Sequence, residues 1–93
     1  MKKVIYVYGA SGAGVSTLGR AIAEGYGYRQ LDTDDYFWLP TDPPFVRSRE
    51  RSDRVKLLRA DLDAAEKAVI SGSLYDWGDV LLPEVTLGVR VVT

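Results

Sequence analysis

The segment that most limits the fold lies near the amino terminus. There the unbroken apolar and aromatic run Val4-Ile5-Tyr6-Val7-Tyr8 stops at Gly9-Ala10-Ser11-Gly12-Ala13-Gly14 and gives way to Ser16 to Glu24, where Leu18, Ala21 and Ile22 recur at helical spacing. A strand with no charged position on either face must be covered on both, which is the condition of a parallel sheet. A glycine turn joining such a strand to an amphipathic helix, ended at Gly25 or Gly27, therefore predicts an α/β fold.

The rest of the chain continues this alternation. A second strand is expected at Tyr28 to Leu31, leading into Asp32-Thr33-Asp34-Asp35, and a second helix at Ser52 to Lys67, where Val55, Leu58, Leu62, Ala65 and Val69 recur at intervals of three and four. Arg59/Asp63 and Asp63/Lys67 then stand one helical turn apart on its outer side. Between these elements, Tyr36 to Val46 carries Pro40, Pro43 and Pro44 and is read as neither regular helix nor central strand. A third strand is expected at Ala68 to Ser71, a mixed segment at Leu74 to Glu84 and a last strand at Val85 to Val92. The order implies right-handed crossovers and a parallel sheet of about four strands, in a single domain over residues 1–93. In such sheets ligands sit beyond the carboxyl ends of the strands, so Gly9 to Thr17, Asp32 to Asp35 and Ser71 to Ser73 are expected to converge on one edge.

Composition narrows the chemistry. The chain has 93 residues, with neither histidine nor cysteine, 12 basic and 13 acidic side chains and a net charge of −1. Zinc sites, thiol chemistry and imidazole-based hydrolysis are excluded. Phosphoryl transfer needs no side-chain nucleophile, because the protein mainly positions groups and neutralises charge. The balanced charge offers no footprint for nucleic acid, and no apolar stretch approaches a membrane span or a signal peptide, so a cytoplasmic location is expected.

The pattern G-x-x-x-x-G-K-[ST] can be laid over Gly9-Ala10-Ser11-Gly12-Ala13-Gly14-Val15-Ser16, with every position matched except the lysine, which is Val15. Backbone N–H groups and the start of the helix still present positive charge to phosphate oxygens, and Ser16 keeps the hydroxyl suited to Mg²⁺. A dinucleotide-binding turn is the competing reading, since Gly9, Gly12 and Gly14 also fit that fingerprint and Asp32 follows near the position of a ribose carboxylate. The hydroxyls of Ser16 and Thr17 suit a magnesium-nucleotide loop better.

These residues, with Leu31-Asp-Thr-Asp-Asp-Tyr-Phe-Trp38 and Val69-Ile-Ser-Gly-Ser73, resemble the P-loop small-molecule kinases related to adenylate kinase and shikimate kinase. More closely, the chain is similar to a bacterial subgroup, often labelled AAA family ATPase or adenylate kinase-like, in which the loop lysine is commonly replaced. The resemblance implies a three-layer α/β/α P-loop NTPase fold. It also implies ATP phosphates against Gly9, Ala10, Ser11, Gly12, Ala13, Gly14, Val15, Ser16 and Thr17, with Mg²⁺ on Ser16 and Asp32. Asp34 would then accept the proton of an acceptor hydroxyl, and Ser71, Gly72 and Ser73 would line the acceptor pocket. Such kinases are commonly nearly twice this length, so the resemblance makes the chain an incomplete domain lacking the lid and the last strand.

Within the acidic cluster, Asp32 and Asp34 would share one side of an extended strand end. Arg47, Arg49, Arg51 and Arg54 suit local pairing at a helix entry or reception of an anionic acceptor, and Tyr36, Phe37 and Trp38 suit a satellite core. The leading expectation is an ATP- and Mg²⁺-binding kinase-like protein with weak or absent phosphoryl transfer and a small-molecule acceptor. A non-catalytic nucleotide-binding domain and a Rossmann-type binder are the alternatives. An exposed last strand would also allow a homodimer through the sheet edge.

Overall fold

The apolar amino-terminal run forms strand β1, Lys3–Gly9, and the helix after the glycine turn is α1, Val15–Tyr26. The chain continues through β2, Arg29–Asp32, the one-turn helix α2, Asp34–Phe37, and α3, Arg51–Ala64. It closes with β3, Lys67–Ser71, a 3-10 helix, Asp79–Glu84, and β4, Leu87–Val91. This computed structural model describes residues 3–9, 14–37, 48–74 and 77–91.

All strand pairs are parallel, in the order β2-β3-β1-β4. The expected α/β sheet is therefore present, with β3 and β1 in its centre. Register divides the side chains between two faces, because alternate residues of a strand point opposite ways. Val4 and Tyr6 stand beside Ala68 and Ile70, with Leu31 next to Ile70. This face packs against Leu58 and Leu62 of α3 and against Tyr36, Leu74, Trp77 and Leu81. Ile5 and Val7 stand beside Val69 and Ser71, with Gln30 and Asp32 in the same rows, and α1 covers this opposite face. Helices on both faces give three layers, and β3, buried from Ala68 to Ser71, explains its run of apolar residues.

The α1 contact depends on a missing side chain. A Cβ on Gly19 would stand 2.8 Å from Ser71 Cβ and 2.9 Å from Gln30 Nε2, so glycine lets the helix lie close against the ends of β2 and β3. On the other face, full burial of Leu58 or Leu62 stabilises the fold by about 1.5–3 kcal/mol each.

Three element expectations change. Helix α3 ends at Ala64, Ala65 is extended, and Lys67 opens β3 opposite Lys3. Lys67 is thus unavailable for a helical pairing with Asp63, and Val69 belongs to the strand. Arg59 reaches Glu84 of the 3-10 helix at 2.7 Å, and not Asp63 as its spacing suggested. The aromatic segment read as irregular contributes Tyr36 and Phe37 to α2, while residues 38–47, Trp38 and Arg47 among them, lie outside the described residues. The mixed segment before β4 contains the 3-10 helix, whose interior Pro83 suits that short tight form.

Candidate functional site

The carboxyl ends of β1, β2 and β3 meet at one edge of the sheet. Register puts Val7, Ser71 and Asp32 in one row, with Gly9 one step beyond. The expected convergence of three polar turns is present in its described parts: Gly9 and Gly14 to Thr17, Asp32 to Asp35, and Ser71 to Ser73. Ala10, Ser11, Gly12 and Ala13, the middle of the phosphate-loop match, lie outside the described residues.

Helix α1 starts after Gly14, which has φ +82°, and no side chain caps it. The first N–H groups of a helix have no partner within it. No acidic residue stands in the first turn of α1, so its positive end is not neutralised from within. Val15 is half-buried, whereas Ser16 and Thr17 are exposed.

A single hydrogen bond ties this helix start to the next strand. Ser16 Oγ donates to Asp32 Oδ2 at 2.9 Å, while the other oxygen, Oδ1, accepts from the Asp34 backbone N–H at 3.0 Å. Asp32 therefore caps α2 and holds Ser16 together. The pair is supported from below: Gln30 Nε2 donates to the Ser16 carbonyl at 3.0 Å and to Ser71 Oγ at 3.1 Å.

Asp34 does not continue an extended strand beside Asp32, as the spacing had suggested. The chain turns at Thr33, and Asp34 opens α2. Burial raises the Asp34 carboxyl above its usual range, followed by the charges of Asp32 and Asp35. Asp35 is raised likewise, by burial first and then by Asp32. The neighbouring carboxylates add to the effect of burial in both cases.

On the β3 side, Gly72 has φ +125°, and a Cβ there would overlap Thr33 Oγ1 and approach Thr33 Cβ to 2.9 Å. Only glycine adopts this conformation without strain. Gly72 N–H donates to the Val7 carbonyl, Thr33 N–H to the Ser71 carbonyl, and Ser73 N–H to Thr33 Oγ1 at 3.2 Å. Thr33, buried among these bonds, locks the β2 and β3 ends together. Ser71 is fully buried, with its hydroxyl engaged by Gln30, and braces the edge from inside; Ser73 is exposed.

Thr33 and Gln30 were missed in the sequence. Neither carries a motif, and only their inward position, set by register, gives them their roles. Two members of the arginine cluster, Arg49 and Arg54, support the α2–α3 joint. Arg49 Nε donates to the Tyr36 carbonyl at 3.2 Å, and Arg54 Nε to the Arg49 carbonyl at 2.7 Å. The Arg54 guanidinium carbon lies 3.9 Å from the Phe37 ring centre and 5.9 Å from that of Trp77. Tyr36 and Phe37 join the core, as a satellite-core reading requires.

A hydroxyl and a carboxylate are hard oxygen donors suited to Mg²⁺, which usually takes one or two carboxylates and completes its shell with water and phosphate oxygens. No group of three or more metal-ligating acidic, His or Cys side chains occurs among the described residues. Ser16 and Asp32, beneath an uncapped helix start, fit a magnesium-phosphate ligand. None of the described helices is long and apolar enough to cross a membrane.

No family model matches the sequence. The chain is 47% identical over 81 residues to the uncharacterized protein YqaC of Bacillus subtilis strain 168, covering 87% of this chain and 44% of that protein. Over 34 residues it is 50% identical to shikimate kinase 2 of Yersinia enterocolitica, covering 37% of this chain and 20% of the enzyme, and the same extent matches shikimate kinase 2 of Yersinia pestis strain Pestoides F. Among solved structures, an unliganded sugar kinase from Janibacter sp. HTCC2649 superposes with a TM-score of 0.60 at 19% identity, covering 99% of this chain and 61% of that one. The chain thus spans less than half of YqaC and about three fifths of the sugar kinase. The superposition and the parallel sheet show the fold: an α/β fold shared with that structure.

Proposed function

We propose that this chain is the magnesium-nucleotide-binding part of a small-molecule kinase-like protein, with ATP as the nucleotide. The observation that carries the reading is the Ser16–Asp32 hydrogen bond, which joins the uncapped start of α1 to the end of β2. The local likeness to shikimate kinase 2 and the kinase fold support it. In this reading Gly9 to Thr17 surround the phosphates, and Ser16 and Asp32 hold Mg²⁺, which neutralises charge on the phosphate oxygens.

The acceptor occupies the side of Asp34, Gly72 and Ser73, with Ser71 behind them. Asp34 accepts the proton of the acceptor hydroxyl as its oxygen bonds to the terminal phosphorus and the bridge to the nucleoside diphosphate breaks. A carboxyl pushed upward by burial and neighbouring charge is a better proton acceptor than an ordinary one. The acceptor in this reading is a small hydroxyl compound. Phosphoryl transfer by these residues alone is slow or absent, because Val15 brings no charge where such loops use lysine.

The competing Rossmann-type reading assigns Asp32 to a ribose hydroxyl. Titration with ATP·Mg and with NADH separates the readings. Binding of ATP·Mg without NADH is expected, with turnover below ~1 s⁻¹, the low end for kinases. Val15→Lys should tighten ATP·Mg. Micromolar NADH binding with no ATP binding, or a Val15→Lys affinity equal to that of the parent chain, counts against phosphates at this loop.

A further inference from the structure

We infer that Gln30 is a positioning residue of the Ser16–Asp32 pair: its side-chain amide fixes the main chain of Ser16 beside Asp32 and so sets how strongly Mg²⁺ promotes nucleotide binding. This rests on the nucleotide reading above, through its Ser16–Asp32 part. Gln30 and Asp32 are alternate residues of β2, so both point to the face that α1 covers. One strand therefore grips Ser16 at two points. Asp32 Oδ2 accepts from Ser16 Oγ at 2.9 Å, and Gln30 Nε2 donates to the Ser16 carbonyl at 3.0 Å. A carbonyl only accepts, so it is the amide nitrogen of Gln30, and not its oxygen, that faces Ser16.

The amide is itself anchored. Gln30 Nε2 also donates to Ser71 Oγ at 3.1 Å, and Ser71 is fully buried in β3, one of the two central strands. Room for the amide comes from Gly19, where a Cβ would stand 2.9 Å from the same nitrogen. Hydrogen bonds thus run without a break from Ser71 in the sheet interior, through Gln30 and Ser16, to Asp32 at the ligand edge. No side chain caps the start of α1, and the Gln30 bond ties its first turn to β2 instead.

The metal is the ligand most sensitive to this tie. Mg²⁺ demands near-ideal octahedral geometry with short oxygen distances, whereas N–H contacts to phosphate oxygens accept a wider range. A small displacement of Ser16 Oγ therefore weakens the metal contact more than the phosphate contacts. Partners that orient a metal ligand without touching the metal commonly carry such an effect.

The test uses the full 93-residue chain and two variants. Gln30→Met keeps the length of the side chain and removes its donors; Gln30→Met/Ser71→Ala also removes the buried hydroxyl that would otherwise lose its partner, which protects the fold. ATP affinity is measured with Mg²⁺ and with EDTA, alongside thermal unfolding. The parent should bind ATP more tightly with Mg²⁺, and both variants should lower that ratio roughly tenfold, the smaller end of the cost of removing a partner that orients a metal ligand, while the affinity in EDTA is kept. A ratio equal to the parent's in either folded variant overturns the inference alone. So does an equal loss with Mg²⁺ and with EDTA, which is what a purely structural role gives. A parent chain that binds no ATP overturns the nucleotide reading, one that binds it equally in both conditions overturns the assignment of Mg²⁺ to Ser16 and Asp32, and either result takes this inference with it.

Discussion

At the scale of single residues, one buried phenol links the acidic turn to the core. Tyr36 lies in the apolar cluster and donates its hydroxyl to Asp61 Oδ2 at 2.6 Å, while Arg29 stands 3.6 Å from the other oxygen of Asp61. Burial pushes the Tyr36 phenol well above its ordinary range, and the hydrogen bond to Asp61 adds to the rise. The sign of the pH effect follows. The folded state holds this proton where the unfolded chain gives it up, so stability is fully present below pH ~10 and falls as pH rises above that value. Tyr36→Phe should lower stability near neutral pH by about 1.5–3 kcal/mol, the worth of a hydrogen bond to a charged group, and make the alkaline decline shallower. Chemical denaturation of both proteins across the alkaline range measures this; parallel declines would exclude Tyr36 as their source.

At the scale of elements, the position of α1 depends on Gly19, and with it the Ser16–Asp32 contact. A side chain at this position meets Ser71 and Gln30, the residues that support Ser16 from below. Gly19→Val should lift the helix from β3, cost about 1–3 kcal/mol as overpacking does, and weaken ATP·Mg binding more than the stability loss alone requires. Gly25→Ala is the matched control, because nothing lies within 4 Å of a Cβ there. If both variants bind ATP·Mg equally well, helix placement does not govern the site. This dependence was not legible in the sequence: Gly19 reads as one more small residue in a helix, and Gln30 as a polar interruption of a short strand. Strand β1 was legible because its apolar run has no charged position, and β3 because Val69 and Ile70 precede Ser71-Gly72. The end of α3 was not, since Asp63 and Lys67 keep helical spacing across a boundary set by the pairing of Lys67 with Lys3. The turn at Thr33 escaped notice for a similar reason, because spacing cannot show that Asp32 accepts the Asp34 N–H.

At the scale of the whole molecule, the sheet has one edge whose chemistry invites pairing. Strand β4 bonds to β1 on one side and to no described strand on the other, and Arg90 is its lone charged residue. An edge with a single charge and no proline is a template for another strand. Val80, Leu82 and Leu87, in the 3-10 helix and β4, are 62%, 42% and 54% exposed, so apolar surface gathers on the same part of the chain. We propose a second copy of the chain as the occupant, on the sequence of β4. In an antiparallel pairing centred on Val89, Leu87 faces Val91 of the second copy, and Arg90 faces Gly88, so the charge never meets itself. Such a contact uses the same patch on both copies and closes as a two-fold dimer. The chain should therefore show a concentration-dependent monomer–dimer equilibrium by light scattering. Leu87→Lys, which sets a charge opposite Val91 at a half-exposed position, should shift it to monomer without lowering the unfolding temperature. A parent chain that stays monomeric up to its solubility limit, or a Leu87→Lys variant that dimerises equally well, would leave β4 without this partner.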